Sequence, residues 1–282
     1  MPTLITTGLA SARPFGVGFR SVHTMAYILQ QLSVTPAAAY SVRQLSGTYT
    51  GPLLRVGTTD LYAGSNGVVD LTPVGGSGTV TIWYDQSGHG ANASVGGGSV
   101  TISNSTNLIG GFPVLNFTSS YFNVNYTQTN ANYQTVAVVG RPGSSSSFSN
   151  NPLWVTRGSG AGMSLTVIFN TSYLQNEVDS NNIIAQPSAV PTGLSSSTAY
   201  SLAQSINVVN GTSYFVQNGI VTTGTMPTTY QNNTGLNTLM GYSQAWGTYF
   251  SSTLSEFILF SVITPSSDMV NLNLNQKSFY NT

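Results

Sequence analysis

From Pro36 onward the apolar and polar positions of the chain fall into short, regular runs. Leu53-Leu-Arg-Val56 and Thr79-Val-Thr-Ile-Trp-Tyr84 read as strands, and in the second Thr79 and Thr81 alternate with Val80 and Ile82. Further strands are predicted over 99–103, 113–118, 134–140, 163–170 and 200–209. Ser213-Tyr-Phe-Val-Gln217, then Asn218-Gly219, then Ile220-Val-Thr-Thr223 predicts a hairpin, because both central residues of its two-residue turn need φ > 0. Thr253 to Val262 is an apolar run that reads as a central strand.

Two stretches break this pattern. Ala37 to Leu45 places helix-forming alanines behind Pro36 and predicts a short helix near 37–45. Thr264 to Tyr280 opens with N-cap residues and a proline, then carries apolar residues at 269, 270, 272, 274 and 279. It predicts a C-terminal helix near 266–280, with Asp268 at its positive end and Lys277 at its negative end. Before Pro36, glycines at 8, 16 and 18 and prolines at 2 and 14 interrupt any period. Residues 1–34 therefore read as an arm, either loosely attached or docked on a neighbouring subunit. Within it Met25 to Leu32 reads as a strand or one helical turn. Residues 35–282 read as one domain, with Ser144 to Ser147 as a loop.

Composition narrows the class to all-β. Only 5% of the 282 residues are charged, against roughly 25% in ordinary domains. Helices with solvated Glu/Lys faces are thereby excluded, and the polar surface must consist of Ser, Thr, Asn, Gln and Gly. The 30 glycines and 12 prolines supply turns. Net charge is zero, and seven cations do not make the phosphate-neutralising array that nucleic acid or an anionic membrane requires. A near-neutral surface also tolerates assembly. With no cysteine, disulfide frameworks and thiolate metal sites are excluded. No run of 18 apolar residues exists, and Met1 to Arg20 lacks the basic-then-apolar order of a secretory signal.

Two motifs carry more specific information: Ala39-Tyr-Ser-Val-Arg-Gln-Leu-Ser-Gly-Thr-Tyr-Thr-Gly-Pro-Leu-Leu-Arg-Val56 and Ile82-Trp-Tyr-Asp-Gln-Ser-Gly-His-Gly-Ala-Asn92. Together they resemble the arabinofuranosidase B catalytic domain, in which Tyr-Ser/Thr-Gly-Pro precedes Tyr-Asp-Gln-Ser-Gly by about thirty residues. The pair is also similar to laminin-G-like domains of phage and large DNA virus structural proteins. Those domains commonly end in a helix like Pro265 to Tyr280, and their opening is similar to Leu4 to Ala12. The resemblance spans about 36–280 and is thin between 95 and 200. It implies a concanavalin-like jelly-roll sandwich of two antiparallel sheets.

The enzymes' chemistry does not follow. A retaining glycosidase needs two carboxylates about 5 Å apart. The stretch similar to the family's nucleophile strand, Met163 to Asn170, contains no acid, and neither does Leu239 to Tyr249, similar to its acid/base turn. Glu177 and Asp179 are the nearby acids, in a different context. The expectation is a non-enzyme: a virion structural protein (minor capsid, decoration, fibre or tail component) on the external surface of a particle. It would contact other virion proteins or its own copies through the arm. The alternative is a carbohydrate-binding module for host-surface glycans, and the third is a residual arabinofuranosidase. No cofactor or metal is expected.

Individual residues sharpen these expectations. Asp85 and Gln86 read as turn-formers that bond local backbone, and Arg43 and Arg55 as partners for a buried Arg–Asp pair tying helix to strand. His89 beside Ser87 lacks a third group, so no triad is specified. Glu177 and Asp179 with neighbouring Asn side chains could supply oxygens for Ca²⁺, but no loop motif supports such a site. Glu256, inside an apolar strand, is expected to bond a neighbour. Trp154, Trp246, Tyr242 and Tyr249 are the candidate sugar platform, with core or interface as the competing role. Seven Asn-X-Ser/Thr sequons, at 92, 104, 116, 125, 170, 210 and 232, are what an Asn/Ser/Thr-rich chain generates.

Overall fold

β-branched and aromatic runs separated by glycine turns pair into one antiparallel network in the computed structural model. It describes residues 28–127, 132–144, 151–157, 163–180, 183–185, 187–228, 237–244 and 247–282. The first strands are β1 (Ala38–Ser41), β2 (Leu54–Val56), β3 (Thr59–Leu61), β4 (Ser77–Trp83), β5 (Ala93–Gly97), β6 (Val100–Ser103) and β7 (Val114–Asn116). Next come β8 (Tyr121–Val124), β9 (Tyr133–Gly140), β10 (Pro152–Arg157), β11 (Met163–Phe169), β12 (Leu174–Ser180) and β13 (Ile183–Ala185). The last are β14 (Tyr200–Asn207), β15 (Thr212–Gln217), β16 (Ile220–Thr225), β17 (Asn237–Met240), β18 (Tyr242–Ser243), β19 (Thr248–Tyr249) and β20 (Thr253–Phe260). Helix α1 (Ser266–Tyr280) closes the chain, as the sequence predicts. Among the described residues, Ile28–Gln31 is a single 3-10 turn. Residues 1–27 of the expected arm lie outside them.

Two layers emerge from the pairing. One runs β16-β15-β14-β9-β20-β1. The other runs β13-β12-β11-β10-β17-β8-β5-β4-β2-β3. Strands β6 and β7 bridge β4 to β20 and join the layers at one corner. Between the layers Trp154 stacks on Phe257 at 5.0 Å, and Tyr40 tilts against Trp83 at 5.6 Å. The expected sandwich is thus present, as one continuous 18-stranded sheet folded on itself.

The inner strands of the first layer, β14, β9, β20 and β1, are buried on both faces, and side-chain period explains how. Tyr40, Val136, Val138, Leu202, Phe257 and Leu259 point into the sandwich core. Their neighbours Ala39, Ala137, Ala203, Ile258 and Phe260 point the other way and meet Met269 and Leu272 of α1. Alanines at 39, 137 and 203 leave room for the helix. This corrects the predicted helix near 37–45. Ala38 and Ala39 belong to a strand covered on both sides, where no polar alternation can show, and Ala38 and Tyr40 face the core while Ala39 faces α1.

A buried polar network pins α1 to β20. Glu256 is fully buried and accepts from Arg43 Nε at 2.8 Å, Ser41 Oγ at 3.0 Å and Gln276 Nε2 at 3.0 Å. The Arg43 guanidinium donates its remaining reach to Asn275 and lies 4.6 Å over the Phe279 ring. Burial works against the Arg43 charge, but Glu256 outweighs it, and the guanidinium pKa is raised. The expected Arg43–Asp85 pair is therefore replaced by Arg43–Glu256, and Arg55 pairs with Asp60 at 2.7 Å on the outer face. Sequence order hid both choices, because Glu256 lies on a strand neighbouring β1 and Asp60 across a tight hairpin.

Buried tyrosines favour the fold only up to alkaline pH. Burial raises the phenol of Tyr40 well above its ordinary value, raises Tyr280 too, and pushes Tyr214 up to about 12. The unfolded phenol releases its proton near pH 10.0 while the folded one keeps it, so stability is intact below that pH and falls above it. The thermal midpoint is expected to stay level up to about pH 10 and to drop steeply beyond it. Tyr62 is exposed, so only the share of the tyrosinate rise that belongs to the buried phenols should coincide with unfolding. Ionisation of all 15 tyrosines before unfolding would contradict this assignment.

Candidate functional site

The Tyr84–Asn92 motif acts on β1. Strand β1 pairs with β20 along one edge only, and the motif loop covers the other. Asp85 Oδ1 accepts from Ala39 N at 2.8 Å and Gln86 N donates to Ala39 O at 2.7 Å. The Gln86 side chain accepts from Leu45 N at 2.8 Å and donates to the carbonyls of Ser41 and Arg43. Asp85 Oδ2 also accepts from Ser87 Oγ and Ala91 N, and the Tyr40 hydroxyl donates to Ala91 O. The loop is thus a stand-in strand, with no carboxylate oxygen directed at solvent chemistry. Ser87 spends its proton on Asp85, and His89 is exposed and touches Ser87 through its backbone N–H. A cavity of about 290 Å³ beside the loop is lined by Pro36, Ser46, Tyr49, Gln86 and Ser87. Its Gln86, Tyr49 and Ser87 polar groups are already bonded within the chain.

The outer face of the second layer carries a different constellation. Tyr242 and Tyr249 face each other across the β18–β19 hairpin with ring centroids 4.5 Å apart. Tyr121, at the start of β8, stacks on Tyr242 at 5.1 Å and lies 6.4 Å from Tyr249. All three are partly exposed. Asn123 follows on the same strand face and is exposed, as is its cross-strand neighbour Ser94. Gly96 makes the arrangement possible: a Cβ there would stand 2.3 Å from the Tyr121 ring and 2.9 Å from the Asn123 amide nitrogen. Gly96→Ala is expected to push ring and amide apart and to weaken any ligand held between them. Thermal stability should change little, which a melting curve checks.

Sequence reasoning found part of this cluster. Tyr242 and Tyr249 come together as expected. Trp154 does not join them; it is fully buried among Tyr40, Tyr126 and Phe257, because its position on β10 faces the core. Trp246 lies outside the described residues. Tyr121 and Asn123 were missed; the signal was the Gly96-Gly-Gly98 run opposite an alternating Tyr121-Phe-Asn-Val124 strand.

Register relates this cluster to the two stretches that the family resemblance singles out. Met240 on β17, Trp154 on β10 and Val167 on β11 are cross-strand neighbours. The acid-free stretches are therefore one strand apart in the same layer, and the turn after β17 presents Tyr242. Glu177 on β12 stands opposite Thr166, one strand beyond β11.

This layered, helix-capped arrangement is a β-sandwich of the kind found in arabinofuranosidases. An arabinofuranosidase complexed with arabinofuranosyl-α-1,2-xylobiose is similar with a TM-score of 0.64 at 14% identity, over 91% of this chain and 65% of that one. A GH54 α-L-arabinofuranosidase soaked with a cyclic sulfate inhibitor gives 0.60 at 13%, with the same coverage. The chain spans 65% of the length of these structures, and the likeness is one of fold. No protein-family model and no curated sequence matches the chain.

Proposed function

We propose that this chain is a non-catalytic carbohydrate-binding module that holds a neutral saccharide against the Tyr121–Tyr242–Tyr249 cluster. The observation that carries the reading is the cluster itself. Three partly exposed rings with an exposed amide beside them match what a sugar needs: an apolar face for its C–H groups and polar atoms for its hydroxyls. No charged side chain belongs to the cluster, which favours uncharged sugars. Fold neighbours that act on arabinofuranosides support a pentose-containing ligand as the first to test.

The absence of turnover belongs to the same proposal. Neither β11 nor the β17–β19 segment has an acid in its sequence, and hydrolysis with retention needs a carboxylate pair. Within the proposal the module is displayed on the external surface of a virion, with the segment before Ile28 as its attachment arm, since residues 28–34 pack on the domain itself. The sparsely charged surface, with zero net charge, and the motif resemblance support that setting.

A glycan array tests the reading. Wild-type protein should bind at least one neutral oligosaccharide, and Tyr242→Ala should weaken that binding about tenfold or more, as truncating an aromatic anchor does. Binding indifferent to Tyr242→Ala, or no binding across the array, would contradict it.

A further inference from the structure

The two edges of the helix-covered layer are treated very differently. At one edge β1 is sealed by the Asp85–Gln86 loop. At the other, β16 pairs with β15 alone. In the register of this hairpin Gln217 faces Ile220 across the Asn218-Gly219 turn. Ile220, Thr222 and Gly224 therefore direct their backbone groups to β15, and Val221, Thr223 and Thr225 direct theirs outward. Thr225 is already engaged: Ser188 N donates to its carbonyl at 2.8 Å, and its own N–H donates to Ser188 Oγ at 2.8 Å. The outward N–H and C=O groups of Val221 and Thr223 have no such cover among the described residues. Side chains on both faces agree, since residues 220–223 are all exposed, Ile220 at 69%.

Open edges are normally blunted by charge, proline or a bulge. Strand β16 (Ile-Val-Thr-Thr-Gly-Thr) has no charge and no proline, and its pairing with β15 is regular. The apolar row under α1 also runs out at this edge: Ala39, Ile258, Ala137, Ala203 and Val216 are successive cross-strand neighbours, and Val221 ends the row. Val221 is 36% exposed, and Leu274 of α1, packed over Gly219 on the same side, is 46% exposed.

We propose that β16 is a self-association edge at which two copies of this chain pair antiparallel about a two-fold axis at Thr222. A second copy is the occupant that fits, because the edge is uncharged and complementary to itself under two-fold symmetry. Val221 and Thr223 then exchange backbone hydrogen bonds with Thr223 and Val221 of the partner subunit, four bonds in all. The sheet continues from one copy into the other, and the two Leu274 side chains lie on the same side of it. This inference does not depend on sugar binding.

The test is sedimentation over a wide concentration series, using the whole chain. Wild-type protein should form a reversible dimer. Val221→Pro removes an outward N–H that the β15 ladder does not use, and should raise the dimer dissociation constant about tenfold or more, the worth of one or two backbone bonds. Val221→Lys, which leaves every backbone group in place, should act in the same direction. Because the protein has no cysteine, Thr222→Cys gives a clean readout: the two thiols face each other at about 4.5 Å between Cα atoms and should form an intermolecular disulfide. Ser94→Cys, exposed on the other layer, should not. A monomer at every concentration overturns the proposal. So does a dimer indifferent to both Val221 variants, or one that Thr222→Cys fails to crosslink.

Discussion

Glu256→Ala is expected to lower the unfolding free energy by about 3–5 kcal/mol, the scale for removing one partner of a buried pair. The size follows from what is left behind. Arg43 is 3% exposed, and its guanidinium would lose the carboxylate it pairs with while staying enclosed by Phe279 and Tyr280. Gln276, Ser41 and Tyr280 would each lose an acceptor at the same time. Since Gln276 and Tyr280 belong to α1, the helix should loosen first, and hydrogen exchange would report it there. Removing both charges together, in Arg43→Met with Glu256→Leu, should cost less than the single change, because no bare charge remains. Denaturant unfolding of the two variants decides the matter. A single variant within about 1 kcal/mol of wild type would mean that the network is ornamental to stability.

Asp85→Ala is expected to cost about 2–4 kcal/mol for a related reason. One carboxylate serves the N–H groups of Ala39, Ser87 and Ala91 and the Ser87 hydroxyl. Ala39 and Ala91 are buried, so their N–H groups would be left without water or partner, at about 1–3 kcal/mol each. Asp85→Asn keeps one acceptor oxygen and should fall between the two. Faster amide exchange at Ala39 and Ala91 is the specific signature, alongside the lowered midpoint. If Asp85 were instead a ligand contact, its alanine variant would keep its stability and lose only binding.

Much of this fold can be read in the chain because turn chemistry and alternation are local. Asn218-Gly219 forms the expected hairpin with both residues at positive φ. Helix α1 falls where its Pro265 start and apolar spacing put it. Asp268 sits in its first turn but bonds the Ser33 backbone and hydroxyl, a contact 235 residues away in sequence. Strand β1 was misread because burial on both faces removes the polar half of the alternation. The candidate site was half legible. Tyr242 and Tyr249 share one hairpin, whereas Tyr121 reaches them from a distant strand through a gap that the glycines at 96 and 97 leave open. Trp154 shows the converse limit: an aromatic residue's type does not say which face of its strand it occupies.

The central claim, sugar held by tyrosines without being cut, is tested most directly by saturation-transfer NMR on a panel of neutral oligosaccharides that includes arabinofuranosyl-xylobiose. The wild-type chain should transfer saturation to at least one of them, and the double variant Tyr121→Ala, Tyr242→Ala should not. The anomeric signals of the sugar should stay unchanged throughout. Undiminished transfer in the double variant, or new anomeric signals from a released monosaccharide, would contradict the account.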